Sequence, residues 1–411
     1  MASPERQGRG KERVARGPRA WHNGTVRWAS AVSEQASPAR AVSELAVQLQ
    51  AALGSEAADL AVLFVSPHHA SSFARLPGMV RDAFPRAVVI GCSGGGVIGG
   101  GHEVEARPAI SLSVAFLPDV VMEPFWMAAD EIPADAAAWQ TRFGRDATRH
   151  FLLLPDPFSC DAEEVVADLD EAFPTGRKVG GLASGGSRPG SNGLFLGGVL
   201  KRSGLVGVAL AGAVAIDTLV AQGCRPIGHP MIVTRADGHV IEELDHKRPL
   251  DMLKGLYESL PAPEQELFRG ALFVGLEMKQ ELEYHGGELL ARNLVGVDPK
   301  KGGIAVGAEV APWQVVQFML RDAAAAASNL ARLLDAHVAT GAPAPAGALL
   351  FSCLGRGKGL FGKDDHDTDL LRARLGPVPL GGFFCNGEIG PIGGATYVHG
   401  YTSAFALVRA P

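Results

Sequence analysis

The sequence predicts an α/β fold, with mixed α+β elements admitted, arranged as two modules of repeated β-α-β units with glycine-rich turns and β-hairpins. Three observations lead there. An apolar run, a helical pattern and a glycine-rich turn follow one another three times along the chain. Strand-like runs joined by tight turns lie between these copies. The 411 residues are 47% hydrophobic and 20% charged, the balance of a globular chain of about two domains.

In order, residues 1–22 form a basic tail with six Lys or Arg side chains and almost no large apolar ones, expected to be disordered and dispensable. It lacks the apolar core of a secretory signal. A first module is expected over 23–248 and a second over 249–411. Val42, Leu45, Leu49 and Leu53 recur at helical spacing until Gly54 ends the pattern. The first copy then runs from 60–66 through the helical 79–84 to Gly91-Cys-Ser-Gly-Gly-Gly96. Two strands, 109–116 and 120–126, and a helix near 134–143 follow.

The second copy runs from 151–154 through 162–169 to the turn at 178–186. Residues 204–216, apolar and rich in glycine, read as a buried strand hairpin. Residues 235–239 read as another hairpin turn, and a helix over 249–260 opens the second module. Runs at 303–306 and 313–320 before a helix at 322–334 restate the strand, strand, helix order of 109–143. The third copy runs from 348–353 through 369–375 to Pro379-Leu-Gly-Gly-Phe-Phe-Cys-Asn-Gly-Glu-Ile-Gly-Pro391. All three glycine turns are expected at equivalent sheet ends, where open backbone favours a ligand.

A net charge of −6 recruits neither nucleic acid nor an anionic membrane. The longest apolar stretch falls short of the roughly 18 residues of a membrane span. Five widely spaced cysteines without a C-x-x-C pair suit a reducing, cytoplasmic setting.

Gly91-Cys-Ser-Gly-Gly-Gly-Val-Ile98, Gly223-Cys-Arg-Pro-Ile-Gly228, Leu290-Ala-Arg-Asn-Leu-Val-Gly-Val-Asp298, Phe351-Ser-Cys-Leu-Gly-Arg-Gly357, Gly387-Glu-Ile-Gly-Pro391 and His399-Gly-Tyr-Thr402 together resemble the FIST family, N-terminal and C-terminal domains both, over roughly residues 40–408. The resemblance implies a sensory module for small ligands, amino acids among them, of the kind found in bacterial signalling proteins and eukaryotic F-box proteins. The family usually has Asn after Phe-Ser-Cys; Leu354 here weakens a polar role at that position. With no kinase, cyclase, receptor or F-box segment attached, a sensor of this kind is expected to signal through a separate partner protein.

Two enzyme patterns overlap the first glycine turn, G-x-S-x-G at 91–95 and G-x-G-x-x-G at 94–99. Each needs a helix directly afterwards, and the residues that follow do not supply one. Lys363-Asp-Asp-His-Asp-Thr-Asp369 carries ligands suited to a divalent metal, but Asp367 or Thr368 is better read as a helix N-cap. His68-His69 reads as a surface turn. No catalytic or metal-binding residue and no cofactor is assigned.

The candidate ligand-binding set is Arg356, Glu388, His399, Arg292, Cys353, Cys385, Asn386 and Ser93. Arg356, Glu388 and His399 are charged or polar groups beside glycines, which favours a ligand over a packed ion pair as their partner. An arginine fork for a carboxylate and a glutamate for an ammonium group would recognise an amino acid. Cys353 and Cys385 end strands that the repeat makes neighbours. A thiol- or metal-dependent enzyme and a protein-interaction adaptor are the alternatives.

Overall fold

A computed structural model describes residues 25–278 and 289–411; the expected tail at 1–22 lies outside the described residues. The architecture is mixed α/β and threefold. The first repeat comprises β1 (Arg27–Ser33), α1 (Pro38–Leu53), β2 (Leu60–Val65), α2 (Leu76–Ala83), β3 (Val88–Ser93), the hairpin β4 (Gly96–Gly99) and β5 (His102–Glu105), and β6 (Ile110–Phe116). The second comprises β7 (Val120–Met127), α3 (Ala136–Phe143), β8 (His150–Pro155), α4 (Ala162–Ala172), β9 (Lys178–Gly181), the hairpin β10 (Leu194–Leu196) and β11 (Val199–Lys201), and β12 (Leu205–Gly212).

The third begins with β13 (Ala215–Gln222) and is interrupted by an insert. That insert holds β14 (Cys224–Pro226), β15 (Met231–Asp237), β16 (Val240–Leu244), α5 (Pro249–Ser259), α6 (Ala262–Gly270), β17 (Leu272–Glu277), β18 (Leu289–Val297), β19 (Ile304–Val306) and β20 (Val315–Arg321). The repeat resumes with α7 (Ala323–Ala339), β21 (Gly347–Cys353), the short α8 (Gly357–Phe361), α9 (His366–Leu375), β22 (Leu380–Cys385), the hairpin β23 (Glu388–Ile392) and β24 (Ala395–His399), and β25 (Thr402–Arg409).

Each repeat builds a six-stranded sheet with a hairpin taken from another repeat. The orders are β1-β6-β2-β3-β10-β11, β7-β12-β8-β9-β23-β24 and β13-β25-β21-β22-β4-β5. The first repeat lends its hairpin to the third, the second to the first, and the third to the second. Segments on both sides of residue 248 therefore share sheets.

The parallel pair at the heart of each sheet carries the same steric signature. Gly91, Gly180 and Gly382 lie opposite Leu63, Leu153 and Leu350. A Cβ at these glycines would stand 1.8, 1.9 and 1.9 Å from the facing leucine carbonyl oxygens. Only glycine permits the approach. At the ends of these strands Gly95 N donates to Phe384 O (3.3 Å), Ser184 N to Ser93 O (3.0 Å) and Asn386 N to Leu182 O (3.1 Å), closing a ring around the pseudo-threefold axis. The three glycine turns thus occupy equivalent sheet ends, as the repeats predict.

The sheets form a prism. Their inner faces bury one apolar core that includes Phe64, Leu152, Leu154, Phe351 and Phe383, with Phe64 stacked on Phe383 at 4.6 Å between ring centroids. Their outer faces are covered by α1 and α2, by α3 and α4, and by α7 and α9. Capping fixes where helices start: Asp161 accepts from Glu163 N and Glu164 N, and Asp322 from Ala324 N and Ala325 N.

The insert is a separate antiparallel barrel. Its strands run β20-β15-β16-β19-β18-β17, and β17 pairs again with β20 to close the ring; the hairpin at 235–239 joins β15 to β16 as expected. Its entry and exit adjoin, since Asp322 N donates to Gly223 O at 3.2 Å.

Two expectations are corrected. Residues 204–216 are not a hairpin: β12 pairs with β7 and β8, while β13 pairs with β25 in a different sheet. The counterpart of β6, β7 and α3 is β12, β13 and α7, because β19 and β20 belong to the barrel.

Candidate functional site

Superposing the repeats by strand register shows where the third departs from the other two. The strand-end pair is Val65 with Ile110 in the first and Pro155 with Leu205 in the second, but Ser352 with Ser403 in the third. The hairpin residue opposite the position after the repeat glycine is Leu194 facing Cys92, Val97 facing Phe383, and Glu388 facing Gly181. Each strand ends in the same turn, with His69 N, Ser159 N and Arg356 N donating to Ser66 O, Asp156 O and Cys353 O at 3.1, 3.2 and 2.9 Å. The strand-end and hairpin positions are apolar in the first two repeats and carry serines and a buried glutamate in the third, and the turn position held by His69 and Ser159 carries a buried guanidinium there. Buried ionisable groups cost stability, and the fold does not require them, which makes them the candidate site.

Arg356 is 1% exposed. Its Nε and Nη2 each donate to Asp367 at 3.0 Å, and its guanidinium lies 5.2 Å from the Phe361 ring centroid. Asp367 also meets His366 Nδ1 at 2.8 Å and accepts from Ser403 Oγ. Although burial pushes its carboxyl upward, the Arg356 charge and these hydrogen bonds hold it well below the ordinary aspartate range. Nη1 of Arg356 is buried without a hydrogen-bond partner.

Glu388 is 0% exposed. Its Oε2 accepts from Thr402 N (3.0 Å) and Thr402 Oγ1 (2.7 Å), and Cys385 Sγ donates to Oε1 (3.3 Å). Burial lifts its pKa to about 7 against those hydrogen bonds and the Arg356 charge. Glu103, reached from the exchanged β5, accepts from Thr368 N and Oγ1. Burial and the neighbouring Asp367 lift it to about 8. Burial pushes the Cys353 and Cys224 thiols up to about 12, and raises Cys385 well above the ordinary thiol range.

The barrel supplies the opposite wall. Gly223 lets its strand approach: a Cβ there would stand 2.1 Å from Tyr401 O and 3.2 Å from Arg356 Nη1. Arg321 Nη1 donates to Gly355 O at 3.2 Å. Tyr401, at φ +62, packs 4.2 Å from the Phe273 ring and donates to Asn293 Oδ1 at 2.6 Å. A bulky side chain in the left-handed region is strained and persists where its surroundings over-determine it. Behind it lies a cavity of about 10 Å³ beside Gly223, Cys224, His399 and Thr402, room for about one water.

The structure gathers Arg356, Glu388, Cys353 and Cys385; the two cysteines are register partners on β21 and β22. His399 faces Glu388 across the hairpin, but its Nε2 meets Gly390 O at 2.9 Å, and burial lowers its pKa to about 4. Arg292 lies on the barrel and pairs with Glu163 of α4 at 2.7 Å. Ser93 Oγ donates to Ser184 O (2.9 Å) and accepts from Gly193 N (3.0 Å). Asn386 Nδ2 donates to Ala183 O at 3.2 Å. Ser93 and Asn386 stitch the repeats together near the axis.

Three sequence readings change. Arg356 has a packed ion-pair partner, Asp367, so its flanking glycines do not leave its whole fork to a ligand. Asp367 is not the cap of α9: Asp365 takes that position, and Asp367 turns inward from the first turn. His69 is 3% exposed rather than on a surface turn, since it holds the repeat position of Arg356. The residues around 363–369 do not converge: Asp364 meets Lys358, Asp365 meets His102 and Glu103 N, and Asp367 meets Arg356. Strands, not helices, follow both glycine motifs of the first turn. Sequence reasoning did not find Asp367, Glu103, Cys224, Arg321 and Tyr401; contrast between repeats was a signal for residues of the third repeat, and the barrel residues Cys224 and Arg321 had no repeat to be compared with.

A family model described as the FIST N domain matches residues 59–247, and one described as the FIST C domain matches 249–391. An uncharacterized protein of Mycobacterium tuberculosis (strain ATCC 25618 / H37Rv) is 39% identical over 369 residues, covering 90% of this chain and 96% of the relative. An uncharacterized protein of Mycobacterium bovis (strain ATCC BAA-935 / AF2122/97) is 37% identical over 369 residues, covering 90% and 95%.

Proposed function

The chain belongs to the FIST family, and from that premise we propose that it is a sensory protein that binds a small carboxylate, an amino acid among the candidates, at the seam between the third repeat and the barrel, where the barrel wall has to part from the third repeat to admit anything larger than a water. One observation carries the ligand class: the buried Nη1 of Arg356 has no partner. A buried guanidinium N–H left unpaired costs free energy, and a ligand carboxylate oxygen would satisfy it with a charge-assisted bond. Glu388 adds an acceptor for an ammonium group. The three nearby thiols are held protonated by burial, which supports recognition over nucleophilic chemistry.

The sensor passes its signal to a separate partner protein. All five cysteines are unpaired, which fits the reducing cytoplasm. Among the described residues no helix is long and apolar enough to cross a membrane.

The test is native mass spectrometry of the purified protein, followed by calorimetry with amino acids and short carboxylates. Arg356→Lys keeps a cation beside Asp367 and removes Nη1. Loss of binding by this variant with an unchanged circular dichroism spectrum supports the reading; undiminished binding places the ligand elsewhere.

A further inference from the structure

The barrel turns an apolar patch toward the Arg356 site. Strands β17 and β20 send Val274, Leu276, Phe318 and Leu320 into the barrel core, while the alternate residues Phe273 and Met319 cluster on the other face with Leu289, Cys224 and Ala271. Of the side chains packed in that second cluster, Tyr401 alone comes from the repeats. Its half-buried ring lies 4.2 Å from the Phe273 ring and 5.7 Å from the Arg321 guanidinium. The repeats do not call for a tyrosine there. Two residues before the strand-end residues Ile110, Leu205 and Ser403 stand Pro108, Ser203 and Tyr401, and of these three only Tyr401 has a positive φ. Backbone strain spent on a side chain that the frame does not require points to function.

The patch borders the candidate site directly. Gly223 sits against both the Tyr401 carbonyl and Arg356 Nη1. Cys224, Leu289 and Met319 line the same cavity of about 10 Å³ as Thr402, which holds Glu388. A ligand therefore enters by taking space that is now filled, and the Tyr401 ring is the group placed to yield it, since its hydroxyl bond to Asn293 lies at the exposed rim. The seat it leaves is the size of a six-membered ring, walled by an aromatic ring, a thioether and aliphatic groups. We propose that the ligand is a carboxylate bearing a ring-sized apolar group, an arylalkyl carboxylate or aromatic amino acid, whose ring replaces that of Tyr401 on Phe273 while its carboxylate meets Arg356 Nη1. The carboxylate end rests on the reading given above; the ring end rests on the barrel patch. Acetate or glycine reaches Arg356 without filling the seat, so it gains none of the apolar burial.

Calorimetry of the full chain with acetate, glycine, phenylacetate and L-phenylalanine tests it. Phenylacetate should bind about tenfold or more tighter than acetate, and phenylalanine likewise against glycine. Tyr401→Gly suits the positive φ and empties the seat in advance, so it should bind phenylacetate about tenfold tighter than wild type. Tyr401→Asn, also tolerant of that backbone, is the second variant should the glycine protein fail to fold. Acetate and glycine binding as tightly as their phenyl counterparts, or a folded Tyr401 variant binding phenylacetate no better than wild type, overturns the proposal and leaves the carboxylate reading to the Arg356→Lys result. Phenylacetate binding that rises in Tyr401→Gly yet is unchanged by Arg356→Lys overturns instead the carboxylate reading on which the proposal rests.

Discussion

Replacing Arg356 with leucine removes the guanidinium partner of a fully buried carboxylate, leaving Asp367 only His366 and the Ser403 hydroxyl, at a cost of about 3–5 kcal/mol. Denaturant unfolding should show this loss, and Arg356→Met combined with Asp367→Leu should recover most of it. Three of the buried groups near Arg356 make stability depend on pH between about 4 and 8. The folded carboxyl of Glu388, at about 7, holds its proton more tightly than its ordinary value of 4.5 allows in the unfolded chain, and Glu103 does so up to about 8. Each therefore gives up stability as pH rises from about 4.5 to its folded value. His399, lowered from 6.5 to about 4, acts oppositely, adding stability as pH rises between those values. The effects oppose one another until about pH 6.5, above which only the carboxyl losses continue. The melting temperature should fall from pH 6.5 to 8, and Glu103→Gln should flatten that decline in scanning calorimetry. Asp367 was hidden from sequence reasoning because an acidic residue ahead of a helical pattern fits a cap equally well, and only the tertiary partner distinguishes the two.

Among the elements, the parallel strand pairs make the sharpest demand on sequence. Gly180→Ala or Gly382→Ala would drive a Cβ into a backbone carbonyl oxygen at 1.9 Å. Neither the ladder nor its neighbour can yield cheaply, and a loss of about 3 kcal/mol or more is expected. Gly255→Ala is the contrasting case, since that glycine lies in α5 with open space around it. There alanine should stabilise by about 0.5–1 kcal/mol in chemical denaturation. The repeated units were legible because each is local: apolar run, helix and glycine turn fall within a few dozen residues. The pairing of β12 and β13 was not, since two adjacent apolar strands look like a hairpin whether they pair with each other or with strands elsewhere. The closed barrel escaped for the same reason, its short irregular strands lacking any repeat to compare.

For the whole molecule, the adjoining ends of the barrel make it separable in principle. Joining Gly223 to Asp322 through a short glycine linker should leave the prism folded, with its circular dichroism cooperative on heating, while ligand affinity is lost with one wall of the site. Division after residue 248 should behave differently, because each fragment would lack strands of shared sheets; the fragments are expected to be insoluble apart and to recover a folded spectrum when co-expressed. The cyclic exchange of hairpins also sets a timetable on the ribosome. Strand β4 emerges roughly 280 residues before the β22 edge it must join, and at about 5–20 residues per second the nascent first repeat waits about 15–60 s with that hairpin unpaired. Synthesis of this chain therefore includes an interval in which a finished strand edge has no sheet of its own to join.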